Sequence, residues 1–199
     1  MQQYPTINGS SKAPLGKPCL AFYKYDGSNL RWEWSPKQIW YKFGTRTQLF
    51  DESDPIYNKA IPIFLNTMGD EIVRRVKDLE RGIQRITVFT EFFGPNSFAG
   101  QHVDSDIMEL RLIDVFLYKK GFMKPRSFIK TFGDLPYAAE LIYDGMLNKE
   151  FINDVRIGKY PVWEGVVAKG EDFMVKIKTN EYFKKLNEVY GTQYRIYWE

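Results

Sequence analysis

From Phe173 to Thr179 the sequence alternates: Phe173, Val175 and Ile177 take turns with Met174, Lys176 and Lys178. Side chains two apart on a strand share a face, so the spacing predicts a strand with both lysines on one side. Asn180 follows as a cap for a helix reaching about Tyr190, and Gln193 to Trp198 reads as a closing strand. Nearer the N-terminus, Leu20 to Trp34 and Gln38 to Phe43 are rich in aromatics and partly alternating, with Ser35-Pro36 between them, which predicts paired strands. Ile72, Val76 and Leu79 recur at helical spacing, acids open that segment and Gly82 closes it, so 70–81 is predicted as an amphipathic helix. Ile83 to Phe93 and Leu110 to Tyr118 read as buried strands, and Asp134 to Leu147 as another helix capped by Asp134. Strands that cluster before and after helices, without a regular βαβ alternation, predict an α+β fold.

The 199 residues, 44% of them hydrophobic, suit one domain over 1–199 with a full core. A net charge of +3 permits a polyanionic partner without demanding one. Cys19 is the only cysteine and His102 the only histidine, which excludes an internal disulfide and argues against a Cys/His zinc site. The segment from Met1 to Gly16 lacks the apolar run of a signal peptide, and no stretch approaches membrane-spanning length. The expectation is a cytoplasmic protein with no membrane partner.

Three short stretches carry candidate chemistry: Lys24-Tyr25-Asp26-Gly27, Glu164-Gly165-Val166-Val167 and Lys176-Ile177-Lys178. No Gly-rich phosphate loop is present, so phosphate binding would fall to side chains. A lysine in a short turn between apolar runs can be a covalent nucleophile, but a free lysine with a pKa of about 10.4 is almost wholly protonated near neutrality. A cation about 5 Å away would lower that pKa by about two units, and Lys176, Lys178 and a bound metal are the candidates. Lys119, Lys120, Lys124, Arg126 and Lys130 follow one another without an acid between them, interleaved with Phe122, Met123 and Phe128. Such a segment suits a nucleic-acid backbone or a solvated loop equally well.

The pieces KYDGSN at 24–29, FGTRT at 43–47, TEFFG at 90–94, DVFLY at 114–118, EGVVAK at 164–169 and KIK at 176–178 together resemble the ordered motifs of covalent nucleotidyltransferases. That superfamily comprises ATP-dependent DNA and RNA ligases and capping enzymes, and the KxDGSN form looks most like the RNA ligase 2 and RNA-editing ligase branch. The resemblance implies antiparallel sheets flanked by helices with a nucleotide pocket between them. It also implies an ATP-dependent polynucleotide ligase, RNA more than DNA, using ATP and Mg²⁺ or Mn²⁺. Lys24 would take AMP from ATP, pass it to a 5′-phosphate, and a 3′-hydroxyl would displace it.

By the same resemblance Lys176 and Lys178 hold the α-phosphate, Glu164 the metal, Glu91 the ribose, Arg46 the ribose or strand end, and Phe116 stacks on adenine. Asp26, Gly27, Ser28, Asn29 and Lys169 are secondary candidates. Two features depart from the family: Tyr23 stands where several RNA ligases carry an acid, and only Thr179 to Glu199 follows Lys178, too little for the usual C-terminal OB or helical domain. A GTP-using capping-type enzyme and a noncatalytic binding module of the same fold remain open alternatives.

Overall fold

The computed structural model describes residues 1–95 and 105–191. The closing strand expected at Gln193 to Trp198 lies outside them. The described chain forms two compact units, one made of Met1–Pro5 and Gly27–Ala139, the other of Thr6–Asp26 and Glu140 onward. The K-x-D-G turn is thus where the chain leaves the second unit for the first.

The first unit is built on a six-stranded antiparallel sheet. In chain order its strands are β3 (Ser28–Ser35), β4 (Ile39–Gly44), β5 (Leu49–Phe50), β6 (Ile86–Phe93), β7 (Glu109–Leu117) and β8 (Gly121–Phe122), laid out as β5-β4-β3-β6-β7-β8. Trp32 is fully buried, stacks on Phe64 at 4.2 Å between centroids, and donates its indole N–H to Thr90 at 2.9 Å. Phe64 comes from α1 (Ala60–Phe64), which runs through a π-helical stretch, Leu65–Gly69, into α2 (Asp70–Leu79). Gly69 is needed there because a Cβ would sit 2.8 Å from the Trp40 indole nitrogen. In α2, Ile72, Val73 and Val76 are buried, as the helical spacing predicts, while Leu79 is exposed. α3 (Pro125–Phe132) opens on a proline, whose fixed φ and missing N–H suit a first helical turn, and buries Phe128 and Phe132.

The second unit is built on a five-stranded sheet ordered β1-β11-β10-β2-β9, with β1 (Asn8–Gly9), β2 (Lys17–Tyr23), β9 (Leu141–Leu147), β10 (Gly165–Lys169) and β11 (Met174–Lys178). All its pairings are antiparallel except β1 with β11. One face carries Cys19, Ala21, Val166, Ala168, Val175 and Ile177 and packs on Phe151 and Val155 of α4 (Lys149–Arg156). α5 (Asn180–Tyr190) follows β11; its cap is Thr179, one residue before the expected Asn180, and the Thr179 hydroxyl accepts from the Tyr182 N–H at 3.1 Å.

Two expectations are corrected. Leu20 to Trp34 is not one partner of a hairpin: β2 belongs to one sheet and β3 to the other, and β4 pairs only with the β3 half. Asp134 to Leu147 is not a helix. Pro136 interrupts the pattern, Asp134 gives both carboxylate oxygens to Arg75 rather than to a helix N-terminus, and Leu141–Leu147 pairs with β2 as an edge strand. Its apolar residues mimic helical spacing, but sheet pairing decides. Among the described residues no helix is long and apolar enough to cross a membrane.

Candidate functional site

β2 ends at Tyr23, paired with Val166, and the next N–H, that of Lys24, donates to the Gly165 carbonyl at 3.0 Å. Gly165 is in turn opposite Lys178 on β11, and Val167 is opposite Lys176 and Phe22. Lys176 and Lys178 therefore share the sheet face turned away from α4, as their spacing predicts. Lys169 lies on that face too, with its ammonium 5.2 Å from the Phe22 ring.

Gly165 is fixed by its backbone. Its φ is +142°, a region costly for an L side chain, and a Cβ would stand 1.9 Å from the Ile177 carbonyl oxygen. The space left by the missing side chain is taken by β11. That close approach brings Glu164 and Lys178 together.

Glu164, 4% exposed, is the hub. Its Oε2 accepts from Lys24 Nζ at 2.9 Å and its Oε1 lies 3.2 Å from Lys178 Nζ. The Lys178 ammonium also sits 4.9 Å from the Tyr182 ring, and the Tyr182 hydroxyl donates to Asp26 Oδ1 at 3.2 Å. Asp26 Oδ2 is buried with no partner. Burial, and then the neighbouring Glu164 carboxylate, push the Asp26 carboxyl up to about 7, against the pull of the Tyr182 hydrogen bond and of Lys24 and Lys178. Burial also lowers the pKa of Lys178, with the Lys24 charge acting the same way and Glu164 opposing both. The cluster thus holds an ammonium at the surface end, a second in the interior, one shared carboxylate and one carboxyl held near the neutral form. Tyr182 escaped the sequence reading because nothing local marks it; its tie to Asp26 spans the chain from α5 to the K-x-D-G turn.

The remaining expected residues belong to the first unit. Glu91 on β6 is half-buried opposite Asn29 and Arg111. Phe116 on β7 is opposite Thr87, four residues from Glu91 along β6, about 13 Å of strand. It packs edge-on against Phe122. Arg46 donates to the Pro5 carbonyl at 3.3 Å. Gly27 is tight, since a Cβ would meet the Phe92 carbonyl oxygen at 2.3 Å, and the Ser28 hydroxyl accepts from Tyr57. Only part of the basic run is a loop. Lys119 and Lys120 lie in the turn between β7 and β8, with Lys120 paired to Glu80 at 2.6 Å, whereas Lys124, Arg126 and Lys130 lie at or on α3.

No protein-family model matches the sequence, and no curated protein does. Solved structures do. The chain is similar to Naegleria gruberi RNA ligase with PPi, at 18% identity and a TM-score of 0.68 over 94% of this chain and 58% of that one. It is similar as well to a lysine-to-alanine variant of that ligase with ATP and Mn, at 17% identity and a TM-score of 0.67, and to a lysine-to-methionine variant with AMP and Mn, at 16% and 0.66. The chain has the nucleotidyltransferase fold of RNA ligases. It spans less than two thirds of the length of those ligases. Within the nucleotidyltransferase fold, Lys24, Glu164, Lys176 and Lys178 all stand on the five-stranded unit.

Proposed function

We propose that this chain is an ATP-dependent nucleotidyltransferase of the polynucleotide-ligase kind, acting on RNA, with Lys24 as the nucleophile. The observation that carries the reading is the shared carboxylate: Lys24, just past the end of β2, and Lys178 on β11 both reach Glu164. In the first step Lys24 Nζ, having given up one proton to become a neutral amine, bonds to the α-phosphorus of ATP, the α–β phosphoanhydride bond breaks, pyrophosphate leaves, and the nitrogen loses a second proton as the phosphoramidate forms. The AMP would then pass to a 5′-phosphate, and a 3′-hydroxyl would displace it to seal the strand.

The Glu164 contact holds Lys24 charged in the resting state, so it must loosen before Nζ attacks. Lys178 helps, because it competes for the same carboxylate and its own charge disfavours a second ammonium nearby. Lys176 and Lys178 are placed to take phosphate oxygens and to stabilise the charge that grows on them during transfer.

A divalent cation fits the donor set. Asp26 Oδ2 is buried and unpartnered, Glu164 offers two oxygens, and both are hard ligands. Mg²⁺ keeps several of its waters, so a site of two carboxylates is compatible with it. Glu164 and Asp26 would hold it, and bound there it would offset the charge of the phosphates.

Incubation with ATP labelled at the α-phosphate tests the reading. Label is expected on the wild type and not on Lys24→Ala. An unlabelled wild type would sink the proposal, and label from GTP alone would move it to a capping-type enzyme.

A further inference from the structure

One end of the six-stranded sheet gathers rings and cations that the adenylation chemistry does not use. The Tyr118 N–H donates to the Arg85 carbonyl at 3.1 Å, which sets the two side chains beside each other at the β6–β7 end. The Arg85 guanidinium lies 4.1 Å from the centroid of the Tyr118 ring, and the Lys119 ammonium is 5.7 Å from the same ring. Lys42 stands 5.6 Å from the Tyr41 ring. Phe116, on β7 two residues before Tyr118, packs edge-on against Phe122 near this end of the sheet. Tyr118 is 39% exposed, with the Arg85 guanidinium against its ring. Glu33, the acid in contact with Tyr41 and Lys42, is only 1% exposed and so adds no negative surface.

We propose that this sheet end is a stacking platform for single-stranded nucleic acid, with Tyr118 as the ring that takes a base and Arg85, Lys119 and Lys42 as partners for the phosphates on either side. Charge complementarity selects a polyanion, and exposed rings select unpaired bases, because the bases of a duplex are already stacked on one another. The proposal deepens the ligase reading and rests on it for the choice of a polynucleotide. The platform would hold a strand, whereas Lys24 would carry the chemistry.

The test is fluorescence anisotropy of a labelled single-stranded RNA oligonucleotide over a salt series, with the wild type, Tyr118→Leu, Tyr118→Phe and the double variant Arg85→Ala/Lys119→Ala. Leucine keeps an apolar side chain at an exposed position but has no π-face. Tyr118→Leu should weaken binding by about tenfold, and Tyr118→Phe should bind as the wild type does. The double variant should flatten the slope of log K against log salt by about 1.4, or 0.7 for each lost phosphate contact. Equal affinity of Tyr118→Leu and wild type, an unchanged slope, or a duplex that binds as tightly as the single strand would overturn the platform. Labelling of the wild type by ATP is scored separately, so loss of the adenylation reading and loss of the platform are distinguishable results.

Discussion

Both units bury charge, and they do so in opposite ways. In the six-stranded unit each buried charge is closed: Glu33 accepts from the Tyr41 hydroxyl at 2.6 Å and pairs with the Met1 ammonium at 3.5 Å, Arg31 donates to the Thr45 carbonyl at 2.7 Å, and Asp114 accepts from Tyr4. In the five-stranded unit two lysines share Glu164, and one buried oxygen of Asp26 has no hydrogen-bond partner. A closed network holds a fold together, because removing one partner strands the other. An open one stores unmet demand, which is what a site for a charged ligand requires. The same residue types thus serve structure in one sheet and, on the proposed reading, chemistry in the other.

Substitutions break or sharpen that contrast. The largest effect is expected at Gly165, where alanine would meet the Ile177 carbonyl oxygen at a strained φ. Gly165→Ala should cost about 3–5 kcal/mol of stability in urea unfolding, and a cost under 1 kcal/mol would show that β10 and β11 do not need that approach. Next comes the closed network: Glu33→Ala should cost about 3 kcal/mol, and a neutral result would reclassify it as open.

Asp26→Asn should act with the opposite sign. The native carboxyl titrates at about 7, among Glu164, Tyr182, Lys24 and Lys178, and the unfolded one at about 3.9. Between those values the folded chain holds a proton that the unfolded chain has lost, so stability falls as pH rises from about 4 to about 7. In chelator-containing buffer Asp26→Asn should remove that slope and leave the variant at least as stable as wild type at pH 8. Unfolding midpoints measured across the range check this, and an unchanged slope would contradict it. The smallest effect belongs to the α5 cap: Thr179→Ala should cost about 1 kcal/mol, read as a lowered melting temperature.

The same contrast explains what the sequence disclosed. The lysines of β11 were legible because alternation over Met174–Lys178 is local, and both edges of that strand are paired. β9 was not: it is an edge strand whose residues are mostly half-buried or exposed, so its period was ambiguous and its pairing with β2 settled the matter. Lys24 and Glu164 could be named from short motifs, but their contact joins residues far apart in the chain, as does that of Asp26 with Tyr182. Only pairing through Gly165 shows that Lys24 and Lys178 answer to one carboxylate.

The central claim is that Lys24 is the atom donor to a covalent AMP adduct. Intact-mass spectrometry after incubation with ATP and Mg²⁺, followed by peptide mapping, tests it most directly. The account predicts a mass gain of one AMP, located on Lys24. A chain that binds ATP without gaining mass, or that carries the adduct on another residue, would contradict it.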